Sequence, residues 1–95
     1  MKLLTKKLIK RFKEIGRQED THDPIIICKF FFPASSWTWY ATEYHEDTKE
    51  FFGLVEGDYT ELGYFSLTEL ESTLTSWSPI ERDRYRKEKT LSEIK

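Results

Sequence analysis

The sequence predicts one α+β domain: a four-stranded, mainly antiparallel sheet with helices packed on one face. Three observations carry this. Apolar residues recur at helical spacing between Lys6 and Ile15. Four runs of strand length, rich in β-branched and aromatic residues, follow between Ile25 and Phe65. The capping box Ser66-Leu67-Thr68-Glu69 then opens a second helix. Helix, successive strands and helix is the order of a meander covered by helices.

In the first element Thr5 caps a helix over Lys6–Ile15, whose apolar stripe is Leu8, Ile9, Phe12 and Ile15, and Gly16 stops it. From Pro24 the period changes. Ile25–Phe32 is apolar on both faces, which predicts an inner strand, and Pro33-Ala34-Ser35-Ser36 closes it as a turn. Trp37–Tyr44 alternates, with Trp37, Trp39 and Ala41 on one face and Thr38, Tyr40, Thr42 and Tyr44 on the other. It is expected to hairpin back onto the first strand. Glu50–Glu56 is the third strand, and Gly57-Asp58 marks the turn after it. Leu62–Phe65 makes a short fourth strand that passes almost directly into a helix ending near Leu74, with Leu67, Leu70 and Leu74 as its stripe. Pro79–Tyr85 is expected to form a last helical turn with Pro79 at its first position. Thr90–Ile94 carries a further capping pattern, and fraying is expected over about 87–95.

At 95 residues the chain lies below the usual domain size of roughly 100–150 residues, which excludes a two-domain enzyme. Its aromatic share of 16% and net charge of only −2 argue against disorder. The charge is small because blocks cancel. Residues 1–17 carry seven basic groups and one acidic, residues 18–83 three and fourteen, and residues 84–95 five and two. Both ends are basic around an acidic middle, which reads either as solvated helix faces or as a basic pole for phosphate or an acidic partner. The single cysteine, Cys28, permits no internal disulfide and points to a reducing, cytoplasmic setting. No apolar stretch approaches a membrane span, and no signal-peptide core is expected after Met1, because Lys6-Lys7 follow so closely.

Several segments, taken in order, resemble a known family. They are Lys2–Thr5, Asp23-Pro24-Ile25, Trp37–Tyr40, Phe51–Val55, Glu61–Leu67 and Pro79–Asp83. Together they resemble bacterial domain-of-unknown-function family 2958, whose members are often carried on plasmids and integrative elements. The resemblance implies a mobile-element setting and brings no activity, cofactor or catalytic residue with it.

The chemistry-bearing residues are few. His22 and His45 are separated by a whole hairpin and lack metal-ligand spacing, so no metal ligand is assigned. The scattered glycines give no phosphate loop, and no cofactor is expected. Glu81 and Asp83 flank Arg82. Paired carboxylates suit a divalent ion or acid–base work, and a metal-dependent hydrolase using Glu81 and Asp83 is one alternative. The plainer reading is a clasp in which Arg82 bridges acidic groups and pins the last turn to the sheet. The aromatic group Trp37, Trp39, Tyr40, Tyr44 and Tyr64 is more informative. Alternation forces Trp39 and Tyr40 onto opposite faces, so some rings must lie outside the helix layer. Exposed rings either cover an open sheet face, stack single-stranded nucleic acid if basic residues lie alongside, or anchor a protein partner. Because the surrounding strands are acidic, a protein partner is favoured over nucleic acid. The expected function is a small non-catalytic protein-binding module, an accessory of a mobile element, with Trp37, Trp39, Tyr40, Tyr64, Glu81, Arg82 and Asp83 as binding residues.

Overall fold

The computed structural model describes residues 2–73, 76–84 and 87–94. Helix α1 runs over Lys6–Ile15. Thr5 Oγ1 accepts the Leu8 N–H at 3.2 Å, satisfying one of the donors a helix start leaves without a partner. At the other end Gly16 donates its N–H to the Phe12 carbonyl with φ at +70°, a conformation that favours glycine. The buried face of α1 centres on Phe12.

Strands β2 (Cys28–Phe31), β3 (Thr38–His45), β4 (Glu50–Glu56) and β5 (Thr60–Ser66) form the expected antiparallel meander. The sheet has five strands, not four. The fifth, β6 (Glu81–Arg82), occupies the place assigned to a helical turn after Pro79, and pairs Arg82 with Phe30 and Glu81 with Phe31. The sheet order is therefore β5-β4-β3-β2-β6, and β6 is what makes the apolar β2 an inner strand.

The predicted strand Ile25–Phe32 breaks at Ile27. Its first part, β1 (Ile25–Ile26), leaves the main sheet and pairs with β7 (Lys89–Thr90) as a two-stranded ribbon. Helix α3 (Leu91–Ile94) follows, with Thr90 donating its N–H and hydroxyl to the Glu93 carboxylate at 2.8 and 3.0 Å. Helix α2 spans Leu67–Glu71, capped by Ser66 Oγ accepting from the Glu69 N–H. Leu74 and Tyr85, assigned above to helical segments, lie outside the described residues.

A bulge sets which side chains share a face. Ala41 pairs with Gly53 but Glu43 pairs with Phe52, so Thr42 is an extra residue in β3. The alternation reverses there. Tyr44 joins Trp39 and Ala41 on the face covered by α1 and α2, not Tyr40 as strict alternation requires. Tyr44 packs its ring 4.8 Å from Phe51 and 6.0 Å from Phe12. Phe51 is the centre of that core, fully buried and touching the rings of Phe12, Phe30, Tyr44 and Phe65. Leu3 and Leu4, read from sequence only as a motif, are buried in the same cluster.

The second face is not bare. Ile26, Leu54 and Leu91 form a smaller cluster there, with Tyr40 and Ile94 against it, so α3 packs on the opposite side from α1 and α2. Helices on one face alone is corrected accordingly. The reason is that β1 carries Ile26 away from the main sheet, and its partner β7 draws α3 down over Tyr40 and Leu54.

Candidate binding surface

The long open edge of the main sheet is β5, and among the described residues no other strand pairs with its outer side. The Leu67 N–H donates to the Lys49 carbonyl, so that residue pair is a hydrogen-bonded one. In the same register Phe65–Phe51 and Gly63–Gly53 are also hydrogen-bonded pairs, and the intervening Leu62 and Tyr64 turn their N–H and C=O groups outward.

Those two residues also carry the exposed apolar side chains. Leu62 is 54% and Tyr64 63% exposed, on the face that carries Phe52 and Leu54. Tyr64 meets Phe52 edge to face at 5.0 Å and lies 5.9 Å from the His45 ring. Beside them the loop 18–24 rims a shallow cavity of about 260 Å³, lined among others by His22, Phe52, Leu62 and Leu91.

The cavity wall is held by a buried polar network. Gln18 Nε2 donates to the Ile25 and Thr42 carbonyls at 2.9 and 2.7 Å, and Gln18 Oε1 accepts the Ile25 N–H at 2.7 Å. The buried Glu43 carboxylate accepts the Gln18 N–H at 2.8 Å, and its other oxygen lies 3.1 Å from His45 Nε2. The Thr42 bulge makes this possible, because it swings Glu43 and His45 onto this face. Nothing in the sequence marked Gln18. A lone glutamine in a polar stretch reads as loop, and its partners are 7 and 24 residues away.

The seven residues singled out from sequence fall in four places. Trp37 and Trp39 lie 5.9 Å apart on the helix-covered face, Trp39 half-buried against the core and Trp37 over Gly57. Tyr40 is on the other face but packed in the Leu54–Leu91 cluster, with Lys29 Nζ 5.6 Å from its ring. Tyr64 stands at the open edge. Glu81, Arg82 and Asp83 line the far edge, where the Arg82 guanidinium donates to the main-chain carbonyls of Lys2 and Leu3. Through these bonds, which go to main-chain carbonyls, Arg82 holds the N-terminal segment to a strand, where the sequence reading expected a helical turn and a bridge between carboxylates. Tyr59 and Trp77, 80% and 92% exposed, were not singled out.

Charge divides along the same lines. The cavity beside Tyr64 is lined by Glu19 and Glu43 and by no lysine or arginine, whereas the basic α1 lies on the other face of the sheet. Among the described residues no three His, Cys, Asp or Glu side chains converge as a metal site, and no helix is long and apolar enough to cross a membrane.

Fold and surface together define an α+β protein built on an open antiparallel sheet, with a free apolar edge. The chain belongs to the family described as protein of unknown function (DUF2958), whose model matches residues 3–94. No curated protein and no solved structure matches it.

Proposed function

We propose that the protein is a small non-catalytic binding module, an accessory of a mobile genetic element, that takes up an extended segment of a partner protein along β5. The observation that carries the reading is the coincidence, at Leu62 and Tyr64, of outward backbone groups with exposed apolar side chains. An added strand finds hydrogen bonds from the first and side-chain pockets from the second. Glu56, Asp58 and Glu61 on and before β5 favour a segment that alternates apolar and basic residues. Tyr64 is the anchor kept from the sequence reading. Trp37, Trp39, Tyr40, Glu81, Arg82 and Asp83 are not needed for this mode.

The nucleic-acid reading requires basic residues beside the open rings, and the α1 lysines are across the sheet from Tyr64. The test is selection from a random-peptide display library. Selected peptides are expected to be basic and apolar in alternation, to slow hydrogen exchange at the Leu62 and Tyr64 amides, and to be lost on Leu62→Lys. Peptides that instead perturb the Trp37–Trp39 face refute the mode. Concentration-dependent dimerisation abolished by Leu62→Lys would replace the partner segment with a second copy.

A further inference from the structure

A cavity of about 760 Å³ lies on the other side of the sheet from Tyr64, between α1 and the edge formed by β2 and β6. Its size falls within the roughly 300–1,000 Å³ of small-molecule sites. Its composition is two-layered. Leu8, Ile27 and Cys28 give an apolar wall, with Cys28 only 3% exposed at depth. Among the described residues, Lys7, Lys10, Arg11, Arg82 and Arg84 stand around it, five cations against three carboxylates.

The carboxylates do not cancel this evenly. Arg11 grips Glu88 through two hydrogen bonds of 2.8 and 2.9 Å and lies 4.0 Å from Glu14, so these carboxylates are engaged by Arg11. It also ties the C-terminal segment to α1 and so closes one side of the cavity. The Arg82 guanidinium donates to the Lys2 and Leu3 carbonyls, which helps set its position. Lys7 and Lys10 are exposed, one turn apart on α1, and neither forms an ion pair among the described residues. Two lysines one turn apart repel each other, and an anion seated between them relieves that cost.

We propose that this cavity binds a phosphorylated small molecule of about mononucleotide size, its phosphate between Lys7 and Lys10 and its uncharged body against Leu8, Ile27 and Cys28. A strand of nucleic acid would engage mainly the cationic rim, where its phosphates lie, whereas a mononucleotide would engage rim and apolar wall together. The site is independent of the β5 surface, and either stands if the other fails.

The test uses the full chain with ADP, pyrophosphate, adenosine and a short oligothymidylate as probes, followed by amide chemical shifts and titration calorimetry. ADP is expected to bind and to shift the amides of Ile27 and Cys28 as well as those of Lys7 and Lys10. Pyrophosphate is expected to bind more weakly, and adenosine not measurably. The double variant Lys7→Gln/Lys10→Gln, confined to exposed side chains, should keep the fold and weaken ADP roughly tenfold or more, because two charge-assisted contacts are lost. Absence of ADP binding, equal binding by adenosine, or unchanged affinity in the double variant overturns the proposal. So does oligothymidylate binding tighter than ADP with shifts confined to the rim, which would make the patch a nucleic-acid surface.

Discussion

Among the four glycines, Gly53 is the one where an added Cβ meets backbone. Gly53 sits in β4 opposite Ala41, beside the bulge, and an added Cβ would lie 1.8 Å from the Tyr40 carbonyl oxygen. The next nearest atoms, Tyr40 C at 2.8 Å and Ala41 Cα at 3.1 Å, are also backbone, so no rotamer change relieves the contact. Separation to an ordinary distance needs β3 and β4 to part by more than about 1 Å, which costs typical overpacking of roughly 1–3 kcal/mol. Ladder hydrogen bonds at the contact weaken as well, at about 1 kcal/mol each. We expect a loss of about 3 kcal/mol, a large part of the roughly 5–15 kcal/mol that holds such a domain folded. In a chain of this size that lowers Tm by roughly 12–24 °C. The control is Gly63→Ala, on the neighbouring strand, paired with Gly53 and on the same face, where a new Cβ meets nothing within 4 Å. It should be neutral or slightly stabilising, since alanine narrows the unfolded ensemble. Urea unfolding followed by tryptophan fluorescence measures both. A Gly53→Ala protein within about 1 kcal/mol of the parent would refute the reasoning.

Other perturbations separate the remaining contacts. Gln18→Ala strips partners from the Ile25 N–H and the Thr42 carbonyl and should cost about 2 kcal/mol in the same urea assay. Gly57→Ala would put a Cβ 2.4 Å from the Trp37 ring, which can swing aside. The cost should therefore be near 1 kcal/mol, with the change read mainly in tryptophan fluorescence as Trp37 leaves Trp39. Asp23 is held below the usual aspartate range by the Ser92 hydroxyl and then the Ser92 N–H, and Glu93 below the usual glutamate range by the Thr90 N–H. A carboxyl whose folded value is depressed stabilises above its unfolded value, and that contribution disappears as pH falls through the folded value. The α3 clamp should thus open in acid, seen as faster amide exchange at Leu91 and Ser92. Asp23→Asn should flatten that dependence, and parallel acid profiles for the two proteins would count against the clamp.

Local signals in the sequence carried far, because their causes are local. Thr5, Gly16 and Ser66 cap or stop elements through bonds spanning three or four residues, and the structure places all three as expected. The meander from Cys28 to Ser66 likewise follows from runs joined by short turns. What escaped was non-local. Glu81–Arg82 and Lys89–Thr90 are two-residue strands, too short for any alternation to show, and each forms only because a distant strand offers an edge. The Thr42 bulge was equally hidden. Strict alternation put Tyr44 with Tyr40, and one extra residue sent Tyr44 into the phenylalanine core and brought Glu43 and His45 to the open face. Tyr64 was visible as a candidate because its ring had to lie somewhere, but its exposure depends on where α3 docks.

The docking of α3 also explains why the aromatic residues do not act as one surface. Among the described residues Lys29 stands over a ring, 5.6 Å from Tyr40, the kind of pairing a base-stacking platform would exploit. Yet Tyr40 is packed with Ile26, Leu54 and Leu91, so that pair joins the minor core to the edge of β2. Along the same face toward β5 the covering elements stop, and Phe52, Leu62 and Tyr64 continue it beside the carboxylates of Glu19 and Glu43. The Tyr40 ring with its cation is covered there, and the open surface around Phe52, Leu62 and Tyr64 has carboxylates nearby. A phosphodiester strand meets a favourable field at neither place, whereas a polypeptide strand needs only the edge hydrogen bonds and the apolar side chains that Leu62 and Tyr64 present. The same separation leaves the basic cavity under α1 free to recognise a small phosphorylated molecule without competing for the edge.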